Sequence, residues 1–87
     1  MRKAEGYVLK KLEEEYLVLP VGERTETVNE IVTLSESAAF MYEHAEEAKD
    51  VAELAAITAE AYGVTEDTVY ADVREVIAFL KQKGILL

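Results

Sequence analysis

The spacing of apolar positions changes part-way along the chain. Tyr7–Val8–Leu9 is a short β-favouring run that gives way to the charged cluster Glu13–Glu14–Glu15, which suits a hairpin turn. Tyr16–Leu17–Val18–Leu19–Pro20–Val21 follows and predicts a second strand of residues that fit a pleated surface. Pro20 has no N–H for a ladder bond, so it belongs at a strand end or on an open edge. Gly22 opens a polar loop. Val28–Asn29–Glu30 predicts a tight reversal, because Asn tolerates positive φ, and Ile31–Val32–Thr33–Leu34 predicts a third short strand.

From Ser35 onward the period is that of helices. Ser35 is a natural N-cap for a helix through Ala38, Ala39, Phe40 and Tyr42. Asp50 caps a second, with Val51, Leu54, Ala55, Ala61 and Tyr62 on its apolar side and Gly63 as its stop. Thr65 caps a third, whose first turn holds Glu66 and Asp67 where the helix dipole favours negative charge. Val69, Val73, Val76, Ile77 and Leu80 recur at helical spacing in that segment, with Val69, Val73, Val76 and Leu80 as its core side. Lys81 and Lys83 fall in its last turn, Gly84 ends it, and Ile85–Leu86–Leu87 packs back on the core.

The order β-β-β-α-α-α predicts an α+β fold, a three-stranded antiparallel sheet followed by three helices. Such a small sheet needs the helices on one face to be stable. The short helix connections at Ala48–Asp50 and Gly63–Thr65 give a winged helix-turn-helix-like arrangement, β3α3. Residues 1–87 form a single domain with one core, since 87 residues leave no room for a second.

Composition narrows the function classes. The chain has no cysteine, which removes disulfides, thiolate metal sites and cysteine nucleophiles, and one histidine, His44, which supplies no ligand pair. Neither a signal-peptide core nor a membrane-length apolar run is present, so the reading is a cytoplasmic protein without membrane contact. The net charge of −9 opposes binding to nucleic acid, where Lys and Arg supply most of the affinity. Bases gather near the ends: Arg2, Lys3, Lys10 and Lys11, then Arg74, Lys81 and Lys83. From Glu36 to Glu60, Lys49 is the only Lys or Arg.

No catalytic, cofactor or metal set emerges. The acidic clusters Glu13–Glu15, Glu46–Glu47 and Glu66–Asp67 lie in turns or first helical turns, where carboxylates are solvated, whereas acid–base catalysis needs a shifted carboxyl. Ser35 and Ser37 sit where caps sit. The glycines Gly6, Gly22, Gly63 and Gly84 are isolated and form no phosphate-cradling loop. The aromatics lie mostly on apolar stripes, where core packing is their default role.

Several of these residues resemble the PqqD family. Val21–Gly22, then Val28–Asn29–Glu30–Ile31–Val32–Thr33–Leu34–Ser35–Glu36–Ser37–Ala38, is similar to the family's turn and short strand leading into a helix that carries an aromatic. Tyr62 before an acidic loop, Asp72–Val73, and Leu80 followed by Lys83–Gly84–Ile85–Leu86 have counterparts in the same order. Glu30 stands where the family often has Gly, Ser35 where it often has Asn, and Tyr42 where Trp is frequent. These departures point to a relative serving another peptide pathway rather than pyrroloquinoline quinone synthesis itself.

The resemblance implies a non-catalytic precursor-peptide recognition element. Such a domain binds the leader segment of a ribosomally made precursor as an added strand, between its third strand and third helix. It presents the peptide to a modifying enzyme, typically a radical enzyme or a cyclodehydratase, here expected to be of the radical SAM type. On this chain the peptide-binding set is Ile31, Val32, Thr33 and Leu34 on the strand, with Tyr70, Arg74, Ile77 and Lys81 on the helix. Tyr70 and Ile77 would be apolar contacts, and Arg74 and Lys81 partners for leader carboxylates. Two other readings are a DNA-binding winged helix-turn-helix regulator, and a dimerisation or protein-interaction module acting as a homodimer.

Overall fold

The computed structural model describes all residues, 1–87. Strand β1 (Tyr7–Leu12) and strand β2 (Glu15–Pro20) form a hairpin, strand β3 (Val32–Leu34) follows, and helices α1 (Glu36–His44), α2 (Val51–Tyr62) and α3 (Glu66–Gln82) complete the chain. The α+β order read from the sequence is therefore the observed one. The sheet is antiparallel in the order β1-β2-β3, with Leu12 opposite Glu15, Tyr16 opposite Leu34 and Val18 opposite Val32.

The strand limits differ from the sequence reading, and each difference has a local cause. β1 continues past Leu9 to Leu12, because the hairpin closes on Glu13 and Glu14 alone and Glu15 already pairs in β2. Glu13 takes the left-handed backbone (φ 59°) that this two-residue turn demands. Asn29 has no positive φ. The chain reverses instead through a 3-10 turn at Gly22–Glu26, where Thr27 and Val28 N–H groups both donate to the Arg24 carbonyl. Val21 lies outside β2. Ile31 lies outside β3, 57% exposed, because pairing with β2 stops at Val18–Val32.

The helices begin largely as their sequence dictates. Ser35 Oγ accepts from Ala38 N–H (3.2 Å), and Asp50 Oδ1 accepts from Glu53 N–H (2.9 Å). The Glu53 carboxylate reaches back to Lys49 N–H, so the start of α2 is held from both sides. Gly63 ends α2 with φ 67°. Thr65 does not cap α3 with its side chain; its Oγ1 pairs with Thr68 Oγ1 instead.

One core joins sheet and helices. Val18, Val32 and Leu34 from the sheet meet Ala38, Ala39, Met41 and Tyr42 of α1, Leu54 and Ala55 of α2, and Val73, Ile77 and Leu80 of α3. Ile85 and Leu86 close it, and the chain ends come together there. Ala4 N–H donates to the Ile85 carbonyl and Leu87 N–H to the Arg2 carbonyl. The aromatics depart from expectation: of the seven, only Tyr42 is fully buried, while Tyr62, Tyr70 and Phe79 are exposed. No helix is long and apolar enough to cross a membrane.

Candidate functional site

β3 is hydrogen-bonded to β2 alone, so one side of its backbone is open. Its three residues alternate as a strand must: Val32 and Leu34 turn into the core, and Thr33 faces the other way. Thr33 stands opposite Leu17, on the face shared in register by Val8, Lys10, Leu12 and Leu19. The helices pack against the opposite face, the one carrying Val18, Val32 and Leu34. Val8, Leu12 and Ile31 are among the chain's exposed large apolar side chains.

α3 packs chiefly on α2 and less extensively on α1. Its fully buried stripe is Val73, Ile77 and Leu80. Ile77, read from sequence beside Tyr70 as an apolar contact for a peptide, is 3% exposed and belongs to the core. Val69 and Val76, expected in the core, are only half-buried at its margin. At about 100° per residue, Tyr70, Arg74 and Lys81 emerge on one flank of the buried stripe. Val69 and Val76 lie on the other, with Phe79 and Lys83 beyond them. All of Tyr70, Arg74 and Lys81 are exposed, and neither Arg74 nor Lys81 joins an ion pair.

One contact links the Val76 flank of α3 to the approach to β3. Lys83 Nζ donates to Glu30 Oε2 at 3.0 Å, joining the end of α3 to the residues leading into β3. The same ammonium lies 5.7 Å from the Phe79 ring centroid. Glu30, Val76, Phe79 and Lys83 were absent from the sequence-derived set. Their signal was present in the helical spacing of Val76, Phe79 and Lys83, but the rotation of α3 about its axis was not.

Elsewhere the chain holds little that could do chemistry. Burial, with Glu46 and Tyr7 nearby, raises the Tyr42 phenol above the usual tyrosine range. Phe40 stacks on His44 (4.2 Å) and meets Tyr62 edge-on (5.6 Å) over a shallow groove of about 330 Å³ between α1 and α2. His44 Nδ1 pairs with Glu47 Oε2 at 2.6 Å. No three His, Asp or Glu side chains converge as a metal site would require.

A three-stranded antiparallel sheet in which β3 pairs on one side only, followed by three helices that share its core, defines a small α+β domain. The chain belongs to the PqqD family: the family model described as "Coenzyme PQQ synthesis protein D (PqqD)" matches residues 6–86. The family is one of non-catalytic peptide-binding proteins, so this chain is not an enzyme in its own right. Among solved structures, it is similar to "TbiB1 in Complex with the TbiA(beta) Leader Peptide". The TM-score is 0.71 at 21% identity, with 99% of this chain and 94% of that chain covered. At that identity the likeness concerns the fold. No curated protein matches the sequence.

Proposed function

We propose that this chain binds the leader segment of a ribosomally synthesised precursor peptide as a fourth strand on β3, and presents it to a modifying enzyme of the radical SAM type in the cytoplasm. The observation that carries the reading is the open side of β3, whose unpaired backbone groups can template a guest chain. Membership in the PqqD family and the leader peptide named with TbiB1 support the choice of guest. Backbone pairing gives sequence-tolerant affinity, and alternate guest side chains supply selection. One set would turn toward α3, the other toward the face carrying Thr33 and Leu17.

The helix side of this lane is proposed to be α3, by way of Val69, Val76 and Phe79. Tyr70, Arg74 and Lys81, on the other flank, would act through long-range charge or partner contact. A DNA-binding role is disfavoured because α3 exposes Glu66, Asp67, Asp72 and Glu75 around Arg74. Strand pairing between two copies would use the same kind of open edge and is separated by sedimentation at several concentrations.

The test is a titration with peptides from the short reading frames beside the gene, followed by backbone amide NMR. Binding should shift and protect amides of Val32–Leu34. Thr33→Pro, still folded, should weaken binding at least about tenfold by removing a donor or bending the edge. Unchanged affinity in the folded variant would exclude strand addition.

A further inference from the structure

The Lys83–Glu30 ion pair ties together the two elements that border the proposed peptide lane. Glu30 precedes β3 by two residues, and Lys83 directly follows α3. A chain paired along β3 beside α3 must pass this bridge at one end. Lys83 is also the cation on the apolar flank of α3, below Phe79, whereas Arg74 and Lys81 leave the helix on the other side.

The bridge is built for exchange. Its side chains keep 33% and 56% of their exposure, and exposed ion pairs contribute little to stability. Glu30 makes no other hydrogen bond, so its carboxylate is free to swing into water once released. A second carboxylate arriving at the Lys83 ammonium would compete with Glu30 on nearly equal terms, and the guest's backbone bonds to β3 would decide the outcome.

We propose that Glu30 is an internal stand-in for an acidic side chain of the bound peptide, and that Lys83 selects peptides with Asp or Glu at the position beside it. The inference rests on strand addition to β3 and names the chemistry that this lane prefers. Glu30 lowers the affinity for every acidic guest by occupying the cation that would read it. Neutral guests gain nothing from Lys83.

A display library of randomised 12-residue peptides, selected against the full chain, tests this. Wild type should enrich Asp or Glu at one position about threefold over the library. Lys83→Glu should enrich Lys or Arg at that position instead. For a recovered acidic peptide and its Gln counterpart, Lys83→Gln should weaken only the acidic one, by about three- to fivefold. Glu30→Gln should tighten it by a similar factor, and Lys83→Arg should retain it. Selection that depends on β3, shown by loss in Thr33→Pro, but is blind to charge at every position would overturn the role of Lys83 alone. No enrichment, or enrichment that survives Thr33→Pro, would remove strand addition and the Lys83 role with it.

Discussion

The Arg24 guanidinium donates through both Nε (3.1 Å) and Nη2 (2.8 Å) to the carbonyl oxygen of Glu5. It thereby fastens the 3-10 turn between β2 and β3 to the residues entering β1. The same group lies 5.3 Å from the Tyr7 ring centroid, and Val21 N–H donates to the Gly6 carbonyl beside it. A connection that leaves the sheet for eleven residues is thus pinned before it returns as the short edge strand. Arg24→Ala should lower stability by about 1–2 kcal/mol in urea unfolding, since two charge-assisted bonds and a ring contact are lost. It should also speed amide exchange at Thr27–Leu34 ahead of the rest of the sheet.

Gly6 is the counterpart of this clamp. Its φ is +86°, and a Cβ built on it would lie 2.8 Å from Arg24 Cβ. Gly6→Ala should therefore cost about 1–3 kcal/mol, combining left-handed strain with a displaced Arg24. Because both changes act on one contact, their effects in a double-mutant cycle should be less than additive. Additive losses would show that Arg24 does not depend on Gly6 for its position.

The two flanks and the buried stripe of α3 separate by stability. Ile77→Ala, in the core, should lose about 2–4 kcal/mol. Tyr70→Ala, 43% exposed, should lose less than about 1 kcal/mol. Thermal unfolding of the two variants under one buffer checks this, and a large loss at Tyr70 would mean that its ring packs more tightly than its exposure indicates.

The helix caps offer a paired comparison. Asp50→Ala removes an observed side-chain bond to Glu53 N–H and should cost about 1 kcal/mol. Thr65→Ala removes only a hydroxyl pair with Thr68 and should cost less than half of that. Chemical denaturation of both variants measures the difference directly.

Alkaline stability reports on Tyr42. Burial first, then the charges of Glu46 and Tyr7, raises its phenol in the folded chain above the ordinary value of about 10. The stabilising neutral form is fully present below that ordinary value. As pH climbs from there through the raised folded value, the unfolded chain ionises first and stability is lost. Tyr42→Phe should flatten this part of the stability curve, read from urea midpoints between about pH 9 and 11. An unchanged slope would assign the alkaline loss to other groups, Tyr62 first among them.

Short-range chemistry accounts for what can be read along the chain. The Ser35 and Asp50 caps, the left-handed stop at Gly63 and the helical period through Val73 and Leu80 each depend on neighbours within about one turn. The order of strands and helices follows from those same periods. The family resemblance adds the idea of an open edge strand, and the pairing of β3 with β2 alone agrees with it.

Packing between distant segments settles the remainder. The apolar stripe of α3 limits which side is buried only to within about one residue's rotation. The core that α3 shares with Leu54, Ala55, Ile85 and Leu86 then takes Ile77 inward and leaves Val76 at the margin. Where β3 begins depends on how far β2 can pair with it, and where the chain reverses depends on an arginine held by Glu5, nineteen residues away. Lys83 meets Glu30 across 53 positions. No local pattern encodes that meeting, because helix azimuth and strand register are set by the whole core at once.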